Sequence, residues 1–558
     1  MKKLLLPLVF SVIVFSCKNA GKNNEESESD SPASTEKKIS KRDLSITPEN
    51  AYNDLFLDSM AVVRFIERQQ LNDTISRRVR SFYNARNYQF AWFSSEGLTE
   101  QARAFWNLHN HYTTYSNDSS FADKRLKRKM ASLVLEEELS LKASDTSLLA
   151  TELKLTQHFI QYATKAFEPG TVKRKEMERF VPRKKEDALY LADSLLTKKH
   201  KDNKYFEDIN KPYKLLKAEL QRYYDIAKAG GWQPVGKLPK LKKGAAAPEV
   251  LALKRRLQVT GEMPKGDTTD IFNDTLVGAI KTFQQRFGYT PTGVVTEALV
   301  KEMNVPVTER LKQLLINMDR MRWMPSQPEG NLIIVNIPEF VLHVYEGDKR
   351  AFDMNVVVGK EGHNSMMFTG NLNQVVFSPY WNIPESIVKS EILPAIERNP
   401  NYLAQHNMEI KGTYDEGIPA IRQLPGPDNS LGKVKFLFPN DFDIYFHDTP
   451  AKSLFNKDKR AYSHGCIRLS DPVKMANYLL RNNPEWTPEK IDEAMNQETE
   501  KYVKLKDAVP VVITYYTAWV DDNGLLNFRE DIYGHDKHLM EKMFVSENKP
   551  AYLSKATK

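Results

Sequence analysis

Cysteine is almost absent from this sequence, with two residues among 558, Cys17 and Cys466. Neither cysteine lies in a CxxC motif, and no HExxH motif accompanies them, so the spacings that are typical of zinc sites are missing. Each cysteine therefore has to be explained by its own surroundings.

The sequence also lacks a block of basic residues interleaved with aromatic side chains, which nucleic-acid-binding surfaces have. The formal charge is +8 at pH 7, and the lysines are scattered along the chain. We therefore expect no nucleic acid partner. The mild positive charge suits a carboxylate-rich polymer without requiring one. Apolar residues make up 41% of the 558 residues, which is enough for hydrophobic cores in about three or four domains.

The N-terminus has no apolar run long enough to span a bilayer. A basic start at Met1–Lys3 is followed by apolar residues 4–15 and then by Ser16 and Cys17. The run is shorter than the roughly 20 residues of a transmembrane helix, and the pattern predicts a secretory signal at residues 1–17. Cys17 resembles a bacterial lipoprotein cleavage site, where its sulfur would be lipidated. An ordinary signal peptide or an uncleaved anchor is the alternative.

Cys466 lies in the segment Ser463-His464-Gly465-Cys466-Ile467-Arg468. If Cys17 is lipidated, Cys466 is the only free thiol of the mature chain and no intramolecular disulfide is possible. A thiol kept single in an oxidising compartment is better explained as catalytic than as structural. The alternatives are a small buried apolar side chain and a metal site formed with His447 and His464.

A nucleophilic thiol needs a base within hydrogen-bond reach. His464 is two residues from the thiol, and a neighbour that close rarely reaches in-line geometry. Further upstream, Ile444 and Phe446 alternate with Tyr445 and His447 as in a strand. If Ile444 and Phe446 face the core, His447 faces a groove. We expect His447 to be the base and to lower the pKa of the thiol, and His464 to lie behind it or to face the substrate.

His447, the interval after it and residues 463–468 resemble the signature of L,D-transpeptidases with a YkuD-type catalytic domain. Residues 380–384, 422–427, 429–432 and 444–450 are similar to the large periplasmic branch of that family, which has scaffold and peptidoglycan-binding domains. The resemblance covers about residues 50–540 and is most specific from 330 to 480. The family often has Asn at the position of Arg468, and Arg is a common variant.

The resemblance implies a multi-domain α+β fold with a mostly-β catalytic domain. Helical spacing and Pro residues in 383–430 predict a helical lid inserted in that domain, with a surface excursion as the alternative. Asn273 is expected to cap a helix of the small three-helix domain. The expected order is a signal peptide at 1–17, a disordered tether at 18–45, a helical scaffold domain at 46–232, a peptidoglycan-binding-like domain at 233–306, a connecting helix at 307–330, the catalytic domain at 331–540 and a tail at 541–558.

The resemblance implies acyl transfer in two steps. Cys466 attacks the carbonyl between the third and fourth residues of a donor stem tetrapeptide, and the amine of an acceptor stem then attacks the thioester, which gives a 3-3 cross-link in peptidoglycan. His447 serves as general acid and base. Backbone N–H groups near Gly465 stabilise the oxyanion, and Arg468 is a candidate for a substrate carboxylate.

Three further residues are expected at the substrate: Tyr445 on the groove face, Trp381 in the donor pocket, and Ser463. No metal or cofactor is expected, and a carbapenem should acylate the thiol. The expected partners are the stem peptides and, through the lipid anchor, the membrane, with the protein in the periplasm at the outer membrane. The alternatives are an L,D-carboxypeptidase or thiol peptidase, and a non-enzymatic wall-binding lipoprotein, for which residues 18–306 would suffice.

Overall fold

The computed structural model describes residues 38–116, 118–135, 139–165, 174–197, 210–238, 243–324, 330–414 and 417–546. The predicted signal peptide with Cys17, most of the predicted tether and the end of the predicted tail lie outside the described residues. The described chain has a helical N-terminal part and a mostly-β C-terminal part, as the sequence predicts.

The N-terminal part is built from amphipathic helices with capped starts. The side chains of Asp58, Asn72 and Asp187 each accept a hydrogen bond from a backbone N–H of the first turn, which satisfies donors that a helix start leaves free. The apolar faces meet in a core in which Trp92 and Phe105 are fully buried. The elements are α1 Ser59–Arg68, α2 Asp73–Ala85, β1 Phe93–Ser94, β2 Gly97–Leu98, α3 Glu100–Ser116, α4 Lys124–Leu135, α5 Thr146–Lys165, α6 Arg174–Phe180, α7 Ala188–Leu196 and α8 Lys211–Lys228.

A small three-helix module follows, made of α9 Pro248–Val259, α10 Asp274–Arg286 and α11 Glu297–Met303. Asn273 caps α10, because its side chain accepts a hydrogen bond from the N–H of Leu276 at 3.0 Å. This confirms the predicted cap. The connecting helix α12, Val307–Met321, carries an almost continuously buried surface and joins the module to the catalytic part.

The catalytic part is organised around one nine-stranded sheet. In the order β12-β5-β13-β11-β10-β6-β14-β3-β4, each strand pairs with its neighbours, and β4 also pairs with β5, so that the sheet closes on itself. Its interior is a separate hydrophobic core. The strands are β3 Asn331–Asn336, β4 Val341–Glu346, β5 Lys349–Gly359, β6 Phe368–Phe377, β10 Val434–Leu437, β11 Phe446–His447, β12 Ala461–Ser463, β13 Ile467–Leu469 and β14 Lys501–Thr514.

The insertion after β6 contains helical turns, as predicted, and also a three-stranded antiparallel sheet of order β7-β9-β8. Its five fully buried apolar side chains form their own small core, Ile383, Ile387, Val388, Ile392 and Ile421. The elements are β7 Trp381–Asn382, α13 Glu385–Ile387, a π-helical turn at Val388–Ile392, α14 Leu393–Arg398, α15 Tyr402–Gln405, β8 Met408–Thr413 and β9 Pro419–Gln423.

The C-terminal elements tie the catalytic part to the helical part. A hairpin of β15 Ala518–Val520 and β16 Leu526–Phe528 follows β14, and its apolar residues pack in the helical core. Arg320 of α12 pairs with Glu100 at 2.6 Å and with Asp536. The remaining helices are α16 Pro472–Leu480, α17 Pro488–Ala494 and α18 His535–Met543. Within the described residues, every helix is too short or too polar to cross a membrane.

Candidate active site

The strand register sets the geometry of the site. Strands β11 and β13 run parallel, with Phe446 opposite Ile467 and His447 opposite Arg468. Phe446 and Ile467 are both 0% exposed and lie in the core of the closed sheet. Because side chains alternate along a strand, His447 and Arg468 point to the outer face. Ile444 and Phe446 lie in the core, so the condition under which His447 was expected to face a groove is met.

The turn before β13 holds Cys466 in place. Gly465 has a φ of +113°, a conformation that residues with a Cβ rarely adopt. Its N–H donates to the hydroxyl of Ser463 at 3.2 Å, and that hydroxyl donates to the carbonyl of Cys466. Ser463, which we expected at the substrate, is 2% exposed, so its hydroxyl is enclosed within the turn.

A second chain segment clamps the same turn from behind. The hydroxyl of Ser365 donates to the carbonyl of Gly465 at 2.6 Å and accepts from the N–H of Gly359 at 3.0 Å. The hydroxyl of Tyr533 donates to the carbonyl of Gly359 at 2.6 Å. A Cβ at Gly359 would overlap the carbonyl oxygen of His363, so glycine is required where the two segments cross. Sequence reasoning missed this clamp, since an isolated loop serine carries no periodic signal.

The thiol of Cys466 is surrounded by groups from the segment before β11. Its sulfur lies 3.7 Å from the carbonyl oxygen of Asp443. Desolvation raises the pKa of the thiol to about 11, although hydrogen bonds from the N–H and hydroxyl of Tyr445 and the charge of Arg468 oppose the rise. The thiol is therefore protonated at neutral pH. We expected an imidazole to lower this pKa, but the groups that lower it by donating hydrogen bonds belong to Tyr445.

The imidazole of His447 is buried, with 4% exposure. Its Nδ1 lies within hydrogen-bond distance of the carbonyl oxygen of Asp448. Because a carbonyl only accepts, Nδ1 carries the proton, and the lone pair of the neutral ring lies on Nε2. Burial and the neighbouring Arg468 lower the pKa of His447 to about 3, which keeps the ring neutral. The carboxylate of Asp448 accepts from the N–H groups of Lys433 and Thr449 and so fixes the backbone here.

His447 on β11 and Cys466 directly before β13 share the outer face as diagonal neighbours. The register places Tyr445, two residues before His447, beside Cys466. The rings of Tyr445 and His447 are 5.8 Å apart. The structure thus brings thiol, phenol and imidazole together in one groove, with the phenol next to the sulfur.

The other site residues predicted from the sequence, His464, Trp381 and Arg468, lie around the groove. Nε2 of His464 is 2.8 Å from a carboxylate oxygen of Glu391 in the insertion. Trp381 pairs with Gln423 in the insertion sheet and packs against the insertion core. Burial lowers the pKa of Arg468, and its Nε is buried without a hydrogen-bond partner. Sequence reasoning missed Glu391, because its contact with the motif is long-range.

In the described part of the chain, no group of three or more His, Cys, Asp or Glu side chains is arranged to bind a metal ion. The side chains at the site are suited to nucleophilic attack by sulfur with proton transfer through imidazole.

Comparison with known families identifies three domains. Residues 330–513 match the YkuD family, described as the L,D-transpeptidase catalytic domain. Residues 77–220 match the family described as Scaffold domain, and residues 246–303 match the one described as "Putative peptidoglycan binding domain". These matches confirm the resemblance drawn from the motifs, and along the chain the scaffold and binding matches precede the catalytic match.

The chain is also similar to individual proteins. It is 29% identical over 283 residues to a "Putative L,D-transpeptidase" of Haemophilus influenzae, and the match covers 48% of this chain and 55% of the relative. The chain thus spans about half the length of the curated relative that it matches.

Solved structures of L,D-transpeptidases are among those similar to this chain. The L,D-transpeptidase from Mycobacterium smegmatis is 14% identical, over 33% of this chain and 58% of that one, with a TM-score of 0.18. The L,D-transpeptidase from Stackebrandtia nassauensis is 14% identical, over 50% of this chain and 97% of that one, with a TM-score of 0.21.

Proposed function

We propose that this chain, which carries an L,D-transpeptidase catalytic domain, forms 3-3 cross-links between peptidoglycan stem peptides through a thioester on Cys466. One observation supports this most strongly. Cys466, in the turn that leads into β13, and His447, on the neighbouring parallel strand β11, face the same groove, as a thiol nucleophile and its base must. Cys466 is the single cysteine of the described residues.

In the first step the sulfur attacks the carbonyl carbon between the third and fourth residues of the donor stem. The thiol starts neutral, because its pKa is raised to about 11, and Nε2 of His447 takes the proton as the S–C bond forms. Catalytic hydrogen bonds often tighten only when substrate is bound, so we expect the imidazole to close on the sulfur in the complex. His447 then gives the proton to the departing amine of D-alanine as the C–N bond breaks.

The negative charge that develops on the carbonyl oxygen needs donors. The N–H of Gly465 donates to Ser463, so we assign the first oxyanion donor to the N–H of Cys466, with Gly465 providing the turn that presents it. Ser463 then acts by shaping the turn. The hydroxyl of Tyr445, which hydrogen-bonds to the sulfur, stabilises charge on the sulfur during attack.

In the second step the amine of the acceptor stem attacks the thioester carbon, and His447 now accepts the proton from that amine. The C–S bond breaks and the thiol is restored. If water replaces the amine, the product is a shortened stem, and the same site acts as an L,D-carboxypeptidase.

The remaining expectations extend this function to the whole chain. The scaffold and peptidoglycan-binding-like domains at 46–232 and 233–306 would orient the catalytic domain at 331–540 on the wall, with the insertion at 383–430 closing over the donor. Lipidation at Cys17 would hold the protein in the periplasm at the outer membrane, and the tether at 18–45 would let it reach peptidoglycan.

Incubation of the purified protein with a defined donor tetrapeptide muropeptide and an acceptor, followed by mass analysis of the products, tests the function. We expect a dimer joined between third residues and release of free D-alanine. Cys466→Ala serves as the matched control and should give neither product. Release of D-alanine with no dimer would indicate a carboxypeptidase, and no reaction at all would contradict the proposal.

A further inference from the structure

A basic side chain absent from the sequence motifs lies beside the base. Strand β10 pairs with β11 so that Lys435 is opposite His447. Val434 and Phe436, the neighbours of Lys435 in its strand, are both 0% exposed and lie in the core of the closed sheet. Lys435 therefore points to the outer face. Across three adjacent strands, the outer face carries Lys435, His447 and Arg468 in one row.

Lys435 has no close counter-ion. Its Nζ donates to the carbonyl of Tyr380 at 3.5 Å, and burial lowers the pKa of its ammonium group, with the more distant Glu500 opposing that effect. Among the described residues, neither Lys435 nor Arg468 is within salt-bridge distance of a carboxylate. Half-buried cations are normally paired. The groove is therefore suited to an anion that the described residues do not place within salt-bridge distance.

We infer that Lys435 binds the free carboxylate of the D-alanine that leaves the donor stem, and so selects donors that end in that carboxylate. The inference rests on the proposed function. The thiol lies directly before β13, the imidazole on the neighbouring strand β11, and the ammonium group on β10 beyond it. The scissile end of the donor has its attacked carbonyl carbon, its leaving nitrogen and its terminal carboxylate in the same order.

The dimensions agree with this assignment. The leaving nitrogen has to reach His447 to be protonated, and the carboxylate carbon is two bonds further on, about 2.5 Å away. Neighbouring strands are about 4.8 Å apart, so the carboxylate falls within hydrogen-bond reach of an ammonium group on the next strand. Arg468 lies on the other side of His447, in strand β13, which directly follows Cys466, and so faces the acyl part of the donor.

The test compares the donor tetrapeptide with the same peptide carrying a C-terminal amide. Binding is measured by calorimetry to protein with Cys466→Ala, in which no chemistry occurs. We expect that protein to prefer the free acid. Addition of Lys435→Met should weaken binding of the acid about 10- to 100-fold, which is the range for losing a hydrogen bond to a charged group, and leave binding of the amide unchanged. Lys435→Arg should keep most of the preference.

Lys433→Met is the matched control, because the ammonium group of Lys433 is 2.6 Å from the amide oxygen of Asn496. It should leave the preference unchanged. Labelling of the intact thiol by neutral iodoacetamide at the wild-type rate will show that Lys435→Met preserves the site.

Two results would overturn the inference. One is that Lys435→Met weakens binding of the acid and of the amide equally. The other is that the Cys466→Ala protein with Lys435 intact shows no preference for the acid. Turnover by the otherwise wild-type enzyme is measured separately with both donors. A wild-type enzyme that forms no product contradicts the proposed function, while the binding comparison still decides the role of Lys435.

Discussion

Nε2 of His464 lies 2.8 Å from Oε1 of Glu391, and this contact joins the turn that carries the thiol to the insertion. The two side chains are 29% and 50% exposed. Pairs this accessible to water contribute roughly 0–1 kcal/mol. The contact therefore positions the insertion without locking it, which suits a segment that has to open for substrate and product.

Glu391→Gln should raise the KM for the donor by up to about fivefold, in line with the small energy of an exposed pair, and leave the alkylation rate of Cys466 unchanged. Steady-state kinetics with the donor peptide measure the effect. Glu385→Gln is the control, because Glu385 pairs with Lys389 inside the insertion at 2.8 Å and makes no contact with the motif. Equal effects of the two substitutions would show that the contact with His464 has no special role.

His447→Ala should slow acylation about 10²- to 10⁴-fold, the usual value of a positioned acid–base group. His464→Ala should cost only a few fold, because His464 faces Glu391 and not the sulfur. Rates of acylation by a carbapenem, followed by intact mass, compare the two variants directly. A larger loss in His464→Ala would reverse the assignment of the base.

The raised pKa of Cys466, about 11, predicts a specific pH profile. Only the thiolate is alkylated, and a free cysteine has a pKa of about 8.5. The rate of labelling by iodoacetamide should therefore be low at pH 7 and rise about tenfold per pH unit to pH 10. Tyr445→Phe removes a hydrogen-bond donor to the sulfur and should slow labelling further at each pH. A plateau near pH 8 would mean that the resting thiol is already activated.

His343 makes the stability of the catalytic domain sensitive to alkaline pH. Desolvation opposes its charge, but hydrogen bonds to Asp353 at 2.7 Å and Glu339 at 3.1 Å outweigh it and raise the pKa to about 9. Because the pKa of His343 is higher in the folded protein than the unfolded value of about 6.5, protonation of His343 stabilises the fold. This stabilisation is fully present below about pH 6.5. The stabilisation is then lost as pH rises through 9.

We expect the free energy of unfolding to fall by about 1–3 kcal/mol between pH 6 and pH 10, as measured by urea titration. His343→Gln removes the titrating group and should flatten the profile over this range. Parallel profiles for the two proteins would assign the pH dependence to other groups.

Local patterns in the sequence predicted the parts of the fold that depend on local physics. Strict alternation located Ile444 and Phe446 in the core, and a cap preference located the start of α10 at Asn273. The insertion sheet was not visible, because β8 carries mostly exposed residues without alternation. The first half of β14 was not visible either, because polar residues and a register shift interrupt its alternation.

In the candidate site, too, local sequence patterns predicted some features, and others depend on the tertiary fold. The motif identified the residues of one short segment, but the hydrogen-bond partners of that segment come from distant parts of the chain. Ser365 and Glu391 contact it only through the tertiary fold. The pKa of the thiol also depends on burial and on Tyr445, and neither can be read from residue types alone. Lys435 became visible only through the register of β10 with β11.

The central claim is that Cys466 carries the acyl group between two stems. Rapid quenching of the wild-type enzyme with donor tetrapeptide alone, followed by intact-mass analysis and peptide mapping, tests it most directly. We predict that the mass of the protein increases by the mass of the donor minus D-alanine. The added group should be located on Cys466 and should disappear when acceptor is added. An adduct on another residue, an adduct that persists in Cys466→Ala, or cross-linking without any acyl-enzyme would contradict it.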